Sequence, residues 1–550
     1  MWNKIKQAPV LETIKEKRVL IGIWCVSIIT VGVVISLAGG GLFGLRLWQK
    51  EWTKQGETDL AFNQVAVEFT HRADLVNSLP FLASAAIDID GDGRDEVFLG
   101  GGKNQNDAIL KFDGTQFVNI SANYPITKPV NDASMGSASL DLEGDGLADL
   151  IVARESGIWL HHNRPSGISK QKIPLDIADN TTPLSIAFGD INKDGWADIF
   201  VSGYINISDV QGETIFSEGY GGFCYMLINN GDNTWRDATK EAGLHRQHNT
   251  FTAVFTDLDN DLDSDLVIAQ DTGRVEMYEN TGTFPFKTIE NPSVYSYPMG
   301  VAVGDYDNDG FMDLYFSNVG YTLPPALLRG DLPKGAEFNP EYMLFHNDGD
   351  LKFSDVSRQA NAAKYGFGWG VAFADINLDG HEDLLAAQNY ARFPANDLLE
   401  TYPGKLLQYD KIENKFHPVE KNAGVENKHF GIAPIISDFN NDGAPDIFWA
   451  NLDQPAVAYI SEDVKRNWVK VRLANSAEAL NAIVTLTLPN GDTLTKQLIT
   501  SQGLGSDQGR DLIFGLGEAT SIKEISVQYQ NGQREQIASP QILKTYDLSK

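Results

Sequence analysis

Seven stretches of the chain place oxygen-bearing side chains at one fixed spacing. Each runs Asp, any residue, Asp/Asn/Glu, any residue, Asp, usually Gly, two residues, Asp/Glu, and then an apolar run. The first positions are Asp88, Asp141, Asp190, Asp257, Asp305, Asp375 and Asp438. Position 3 is Asp90, Glu143, Asn192, Asp259, Asp307, Asn377 or Asn440, and position 5 is Asp92, Asp145, Asp194, Asp261, Asp309, Asp379 or Asp442. Position 9 is Glu96, Asp149, Asp198, Asp265, Asp313, Asp383 or Asp446. Carboxylates and amides at positions 1, 3 and 5 of a tight turn converge on one point. Glycine at position 6 permits the turn, and position 9 closes the cage. The position 7 residues Arg94, Leu147, Trp196, Asp263, Phe311, His381 and Ala444 each offer a backbone carbonyl as a further oxygen. A cage of hard, largely anionic oxygens suits Ca²⁺, whereas Mg²⁺ wants fewer protein ligands and stricter octahedral geometry. Zinc and copper would want His or Cys, and neither recurs in the motif.

An EF-hand opens with a similar spacing but needs a bidentate Glu at position 12 and a helix on each side. Position 12 here is Leu99, Val152, Val201, Ile268, Phe316, Ala386 or Trp449, none of which can ligate through its side chain. Apolar residues of β type follow position 9 directly, so each loop is expected to join two strands. Twenty-five of the 74 acidic residues occupy positions 1, 3, 5 and 9, and without a cation such clusters repel one another. The reading is up to seven Ca²⁺ ions, one per repeat. The fourth loop departs from the pattern because Leu262 replaces glycine, and a bulky residue resists positive φ.

The surrounding elements repeat as well. Apolar segments such as SIAFGD, TAVFTD and GVAFAD precede the loops. Third strands such as AILKF, GIWLHHN and YMLFHNDGD follow them, and a fourth segment appears in TWRDATKEAGL and KFSDVSRQANA. Four strands per repeat fit one blade of a β-propeller. The seventh repeat lacks a fourth strand, and Val67–Leu75 echoes the fourth-strand segments, so the N-terminus is expected to complete the last blade and remove the open edge. The sequence therefore reads as all-β, with a seven-bladed propeller over 61–462 and a small β domain over 466–550. These loops resemble the FG-GAP/VCBS repeats of integrin α-chain propellers. The resemblance implies Ca²⁺ in loops on one face, with binding surfaces on longer inter-strand loops. The arrangement of Asn481–Leu488, Phe514-Gly515-Leu516-Gly517 and Ile525–Gly532 resembles an ASPIC/UnbV domain, although Tyr529-Gln530 stands where that family usually has Trp-Pro.

Residues 19–45 carry no charge, and a helix of that length spans about 40 Å, enough to cross a bilayer core. Lys15, Lys17 and Arg18 precede it, which keeps a basic tail (1–18) in the cytoplasm and sends the body outside, beyond a linker at 46–60. A cleaved signal peptide ending at Ser36-Leu37-Ala38 is the rival reading. Residues 1–50 hold seven basic against two acidic side chains, while the whole chain has a net charge of −30. So acidic a body repels nucleic acid and attracts cations. The two cysteines, Cys25 and Cys224, form no CxxC motif, and Cys224 reads as a small buried residue.

No catalytic signature recurs. The expected function is interaction or adhesion at the cell envelope, probed through a protein or glycan partner, and the lean is bacterial. The alternatives are a lyase- or dehydratase-type enzyme on the propeller, or a structural subunit of an envelope complex. The enzyme would need a His/Tyr/Lys/Arg cluster in the central funnel, with material in Tyr220–Tyr225, His245–His248 and Tyr321–Glu341. His161-His162 reads as the end of a strand running into a turn.

Overall fold

The computed structural model describes residues 54–212, 214–320, 325–389, 402–462 and 466–549. The apolar run 19–45 and Cys25 lie outside the described residues. Among the described residues no helix is long and apolar enough to cross a membrane.

The chain is all-β and propeller-like. Among the described residues, seven antiparallel sheets share one plan: an innermost strand, the acidic loop, a second strand, a third and an outermost fourth. The third repeat shows it with Thr181–Gly189, Asp198–Ile205, Tyr225–Asn229 and Trp235–Asp237 in consecutive order. The innermost strands pack side by side in chain order, and Gly431–Ser437 of the last sheet packs against Ser84–Ile87 of the first. Small residues dominate these strands because seven backbones converge there. A Cβ on Gly136 would fall 1.9 Å from the Leu184 carbonyl oxygen, and one on Gly300 would fall 2.5 Å from that of Trp369. The apolar cores lie between successive sheets, as with Ile151, Leu160, Ile186 and Val201 between the second and third.

The N-terminus closes the last sheet, but through a different segment from the one expected. Phe62–Val65 pairs antiparallel with Val457–Ser461, with Phe62 opposite Ser461. Val67–Leu75 instead meets the turn before that strand, through a bridge from Thr70 to Pro455 and hydrogen bonds from Ala73 N to Asp453 Oδ1 and from Asp453 N to His71 Nδ1. The echo of the fourth-strand segments is one of side-chain pattern, whereas strand pairing is set by backbone register.

The C-terminal residues form two further sheets around Val469, Val471, Leu486, Phe514 and Val527. One joins Leu512–Gly517, Asn467–Leu473 and Lys544–Leu548; the other joins Thr493–Gln497, Ile483–Thr487, Glu524–Gln528 and Arg534–Ala538. Between them, residues 498–511 enter the centre of the ring of innermost strands. Gly503 exchanges two backbone hydrogen bonds with Val301, at 2.8 and 3.1 Å. Ser506–Asp507 pairs in parallel with Ser84–Ala85 and becomes a fifth strand of the first sheet. Phe188 donates to Thr500 Oγ1, Ser139 to Asp507 Oδ2 and Ile436 to Gln508 Oε1. Thr500, Ser501, Leu504, Ser506 and Asp507 are all buried.

Candidate metal centres

All seven acidic loops adopt one conformation. Positions 4 and 6 have positive φ in each, from Gly91 (71°) and Gly93 (83°) to Asn441 (58°) and Gly443 (94°). Leu262 follows the others at 70°, so the fourth loop is strained rather than differently shaped. Left-handed backbone costs a non-glycine residue roughly 1–2 kcal/mol. Leu262→Gly is therefore expected to raise stability by about 1 kcal/mol. Denaturant unfolding of the two proteins side by side measures this, and equal midpoints would refute the strain.

The first aspartate organises the turn. Asp190 Oδ1 accepts the Asp194 N–H at 3.0 Å and Asp190 Oδ2 accepts that of Gly195 at 2.9 Å. The same pair of bonds recurs at Asp88, Asp141, Asp257, Asp305, Asp375 and Asp438. The position 5 carboxylate accepts the position 7 N–H, as Asp194 does from Trp196 at 2.9 Å.

Position 9 does more than close a cage. Asp198 Oδ2 accepts the Ile191 N–H at 3.0 Å, and its Oδ1 accepts the Asn229 N–H at 2.8 Å. It thus ties the loop to the third strand. Asp149, Asp265, Asp313, Asp383 and Asp446 make the same two bonds. A carboxylate has about four lone-pair sites, so two remain for a cation. Burial raises the proton affinity of these groups against the pull of their N–H donors: Asp198 to about 7, Asp149 to about 8, and Asp265, Asp313, Asp383 and Asp446 well above the ordinary range. A divalent cation would supply the missing countercharge. The donor set fits one, because Glu143 Oε2, Asp263 Oδ1 and Asp307 Oδ1 are buried and accept no hydrogen bond.

Third-strand residues escaped the sequence reading. Asn163 Nδ2 donates to the Ile89 carbonyl, Asn280 Nδ2 to that of Ile191 and Asn347 Nδ2 to that of Leu258. Each links its own sheet to the loop of the preceding one. The signal was the recurring asparagine at the end of GIWLHHN, VEMYEN and YMLFHN. His161 and His162 lie within the strand Gly157–Arg164, not in a turn. His162 Nδ1 is 2.5 Å from Glu143 Oε1, and Glu143, Asp149 and His162 offer ligand atoms within 4.8 Å of one another. In the fifth loop His346 Nε2 lies 3.0 Å from Asp307 Oδ2. Cys224 is buried, with Sγ donating to the Leu244 carbonyl. His248 is half-buried, and desolvation lowers its proton affinity to about 4, while His245 stacks on Phe223.

The C-terminal sheets pack against the loop-bearing face. Arg472 Nη2 donates to the Gly93 carbonyl, Asp141 N to the Asn475 carbonyl and Gly515 N to Asp375 Oδ2. Lys470 Nζ lies 2.6 Å from Asp438 Oδ2, and both side chains are buried. A Cβ on Gly443 would meet the Trp468 ring at 1.9 Å.

Repeated acidic loops on a closed set of four-stranded sheets define an all-β protein of the propeller-like repeat class. An FG-GAP-like repeat profile matches residues 88–152, 141–201 and 257–316, and an ASPIC and UnbV profile matches 473–550. The chain therefore carries FG-GAP-like repeats followed by an ASPIC/UnbV domain. The loops from Asp375 and Asp438 lie outside the matched ranges and share the same hydrogen bonds. Human cartilage acidic protein 1 is 22% identical over 54% of this chain and 46% of its own length, so the chain spans about half of that relative. The Xenopus tropicalis protein of the same name is 22% identical over 80% of this chain and 69% of its own. A solved exotype rhamnogalacturonan lyase, YesX, aligns over 72% of this chain and 75% of its own at 12% identity and a TM-score of 0.37. Likeness at that level says nothing about activity.

Proposed function

We propose that the chain is a calcium-stiffened, seven-bladed propeller, tethered outside a membrane by residues 19–45, that binds a protein or glycan partner. The observation that carries this reading is which face of the ring stays open. The C-terminal sheets pack against the loop-bearing face, and residues 498–511 pair with the innermost strands behind it. At the other end of the innermost strands, Phe81 packs edge-on to Phe251 and Trp369, and Phe430 packs on Trp369.

Residues 206–212 and 214–224 of the third sheet, and 317–320 and 325–342 of the fifth, connect a second strand to a third, and second strands run away from the acidic loops. These two insertions meet across the fourth sheet. Phe216 packs on Tyr297 and Phe338, and Asp331 Oδ1 accepts the Phe216 N–H at 2.6 Å. Beside them is a cavity of about 400 Å³ lined by Glu337, Phe338, Asn339 and Arg358. Charged groups and aromatic rings on rigid, crossing loops suit recognition of a polar partner.

Protein and glycan arrays probed with the full chain test this. Binding is expected to weaken at least tenfold in Asp331→Ala, which unlocks the two insertions, and to persist in Arg534→Ala on the C-terminal sheet. Binding that survives the first change and is lost with the second would contradict the reading, as would turnover of an arrayed glycan.

A further inference from the structure

One loop already contains a lysine ammonium. Lys111 Nζ lies 2.5 Å from Asp90 Oδ2, 2.8 Å from Asp92 Oδ2 and 2.7 Å from Glu96 Oε1. Those are the carboxylates of positions 3, 5 and 9. The ammonium donates to Asp90 and Asp92, and Glu96 lies within ion-pair distance of it. Asp88, Asp90 and Glu96 also lie as close together as metal ligands would, within 4.8 Å, but the space among the acids is taken. Calcium would bind these oxygens at about 2.3–2.6 Å, so it cannot share them with Nζ.

The placement follows from strand register. Val97 pairs with Leu110, which puts Lys111 on the third strand opposite Glu96. In the other sheets the equivalent residues are His162, Ile228, Glu279, His346, Gln408 and Ile460. None is a lysine or arginine. The first loop is also the one with Glu instead of Asp at position 9. Glu96 accepts only the Ile89 N–H, and its second oxygen faces Lys111. In the other six loops that second oxygen accepts a third-strand N–H. Lys470 at the seventh loop is a different case, because it reaches Asp438 Oδ2 and Asn441 Oδ1 but no oxygen of positions 3, 5 or 9.

We propose that Lys111 is a built-in replacement for calcium: the first loop closes on this ammonium and takes no metal, so calcium sites are confined to the other six loops. This rests on the calcium reading given under Proposed function. The first sheet also carries Ser506–Asp507 as its fifth strand, and on this proposal its loop stays ordered in the absence of calcium.

The test counts ions bound to the calcium-stripped and reloaded full chain by native mass spectrometry, for wild type and Lys111→Met. The expected result is one more Ca²⁺ in Lys111→Met than in wild type. Lys111→Gln serves as a second variant should Lys111→Met fold poorly, with the same gain expected. A calcium-loaded crystal of the wild type should show no anomalous peak among Asp90, Asp92 and Glu96. A peak there, or equal counts in wild type and variants, would overturn the proposal while leaving calcium binding by the chain intact. No calcium in any of the proteins would overturn both.

Discussion

Removing calcium is expected to lower the melting temperature of the chain by about 10–20 °C. A ligand bound only by the folded state contributes about 2.7 kcal/mol per site at a hundredfold excess over its dissociation constant. Six such sites sum to roughly 16 kcal/mol. At about 2.1 cal/mol/K per residue, unfolding a body of this size has an entropy near 1 kcal/mol/K, which sets the shift. The physical source is the acid cages, where a buried carboxylate such as Asp305, with its proton affinity raised by burial to about 8, lacks a countercharge. Calorimetric melts at fixed pH, with calcium and with excess chelator, make the measurement. An unchanged midpoint would mean that the loops hold without metal.

The second large effect is expected at position 9, and much of it should not depend on calcium. Asp198 is fully buried and accepts two backbone N–H groups, from Ile191 and Asn229. Alanine would leave both donors unpaired inside the protein, at about 1–3 kcal/mol each. Asp198→Ala is therefore expected to lose about 3–5 kcal/mol in excess chelator, with a further loss when calcium is present. Asp194→Ala makes the contrast. The Asp194 side chain is solvent-exposed and accepts the Trp196 N–H, so its deficit should appear chiefly in calcium. Urea unfolding of both variants under both conditions separates the two roles. A chelated Asp198→Ala as stable as the chelated wild type would show that the aspartate serves only the metal.

The acidic loops and the strands around them were legible because their signals are local. The spacing of carboxylates, the glycine that allows positive φ and the following β-branched run all fall within about a dozen residues. Leu262 looked like an exception because sequence gives a propensity, while the hydrogen bonds of Asp257 to Asp261 and Leu262 impose the turn regardless. The closing strand was misplaced by a few residues, since the edge pairs through backbone groups that carry no side-chain signature. The double role of position 9 was hidden for the same reason: its partners are N–H groups of another strand.

Lys111 and residues 498–511 were illegible for a different cause. A lysine on a third strand reads as a solvated side chain until register places it opposite Glu96. The segment SQGLGSDQGRD has no apolar alternation and reads as a loop. It is buried because glycines at 503, 505 and 509 let its backbone approach strands from several sheets at once. Gly505, at φ 59°, has room for no Cβ beside the Met135 carbonyl oxygen, 2.7 Å away. Nothing in the segment itself announces a ring to enter.

The central claim is that calcium bound in these loops holds the sheets in their ring. Anomalous diffraction from calcium-loaded crystals, recorded at long wavelength, tests it most directly. The account predicts peaks in the loops beginning at Asp141, Asp190, Asp257, Asp305, Asp375 and Asp438, each within about 2.3–2.6 Å of several carboxylate, amide or carbonyl oxygens. Loops of unchanged geometry without peaks, in crystals grown in millimolar calcium, would contradict it.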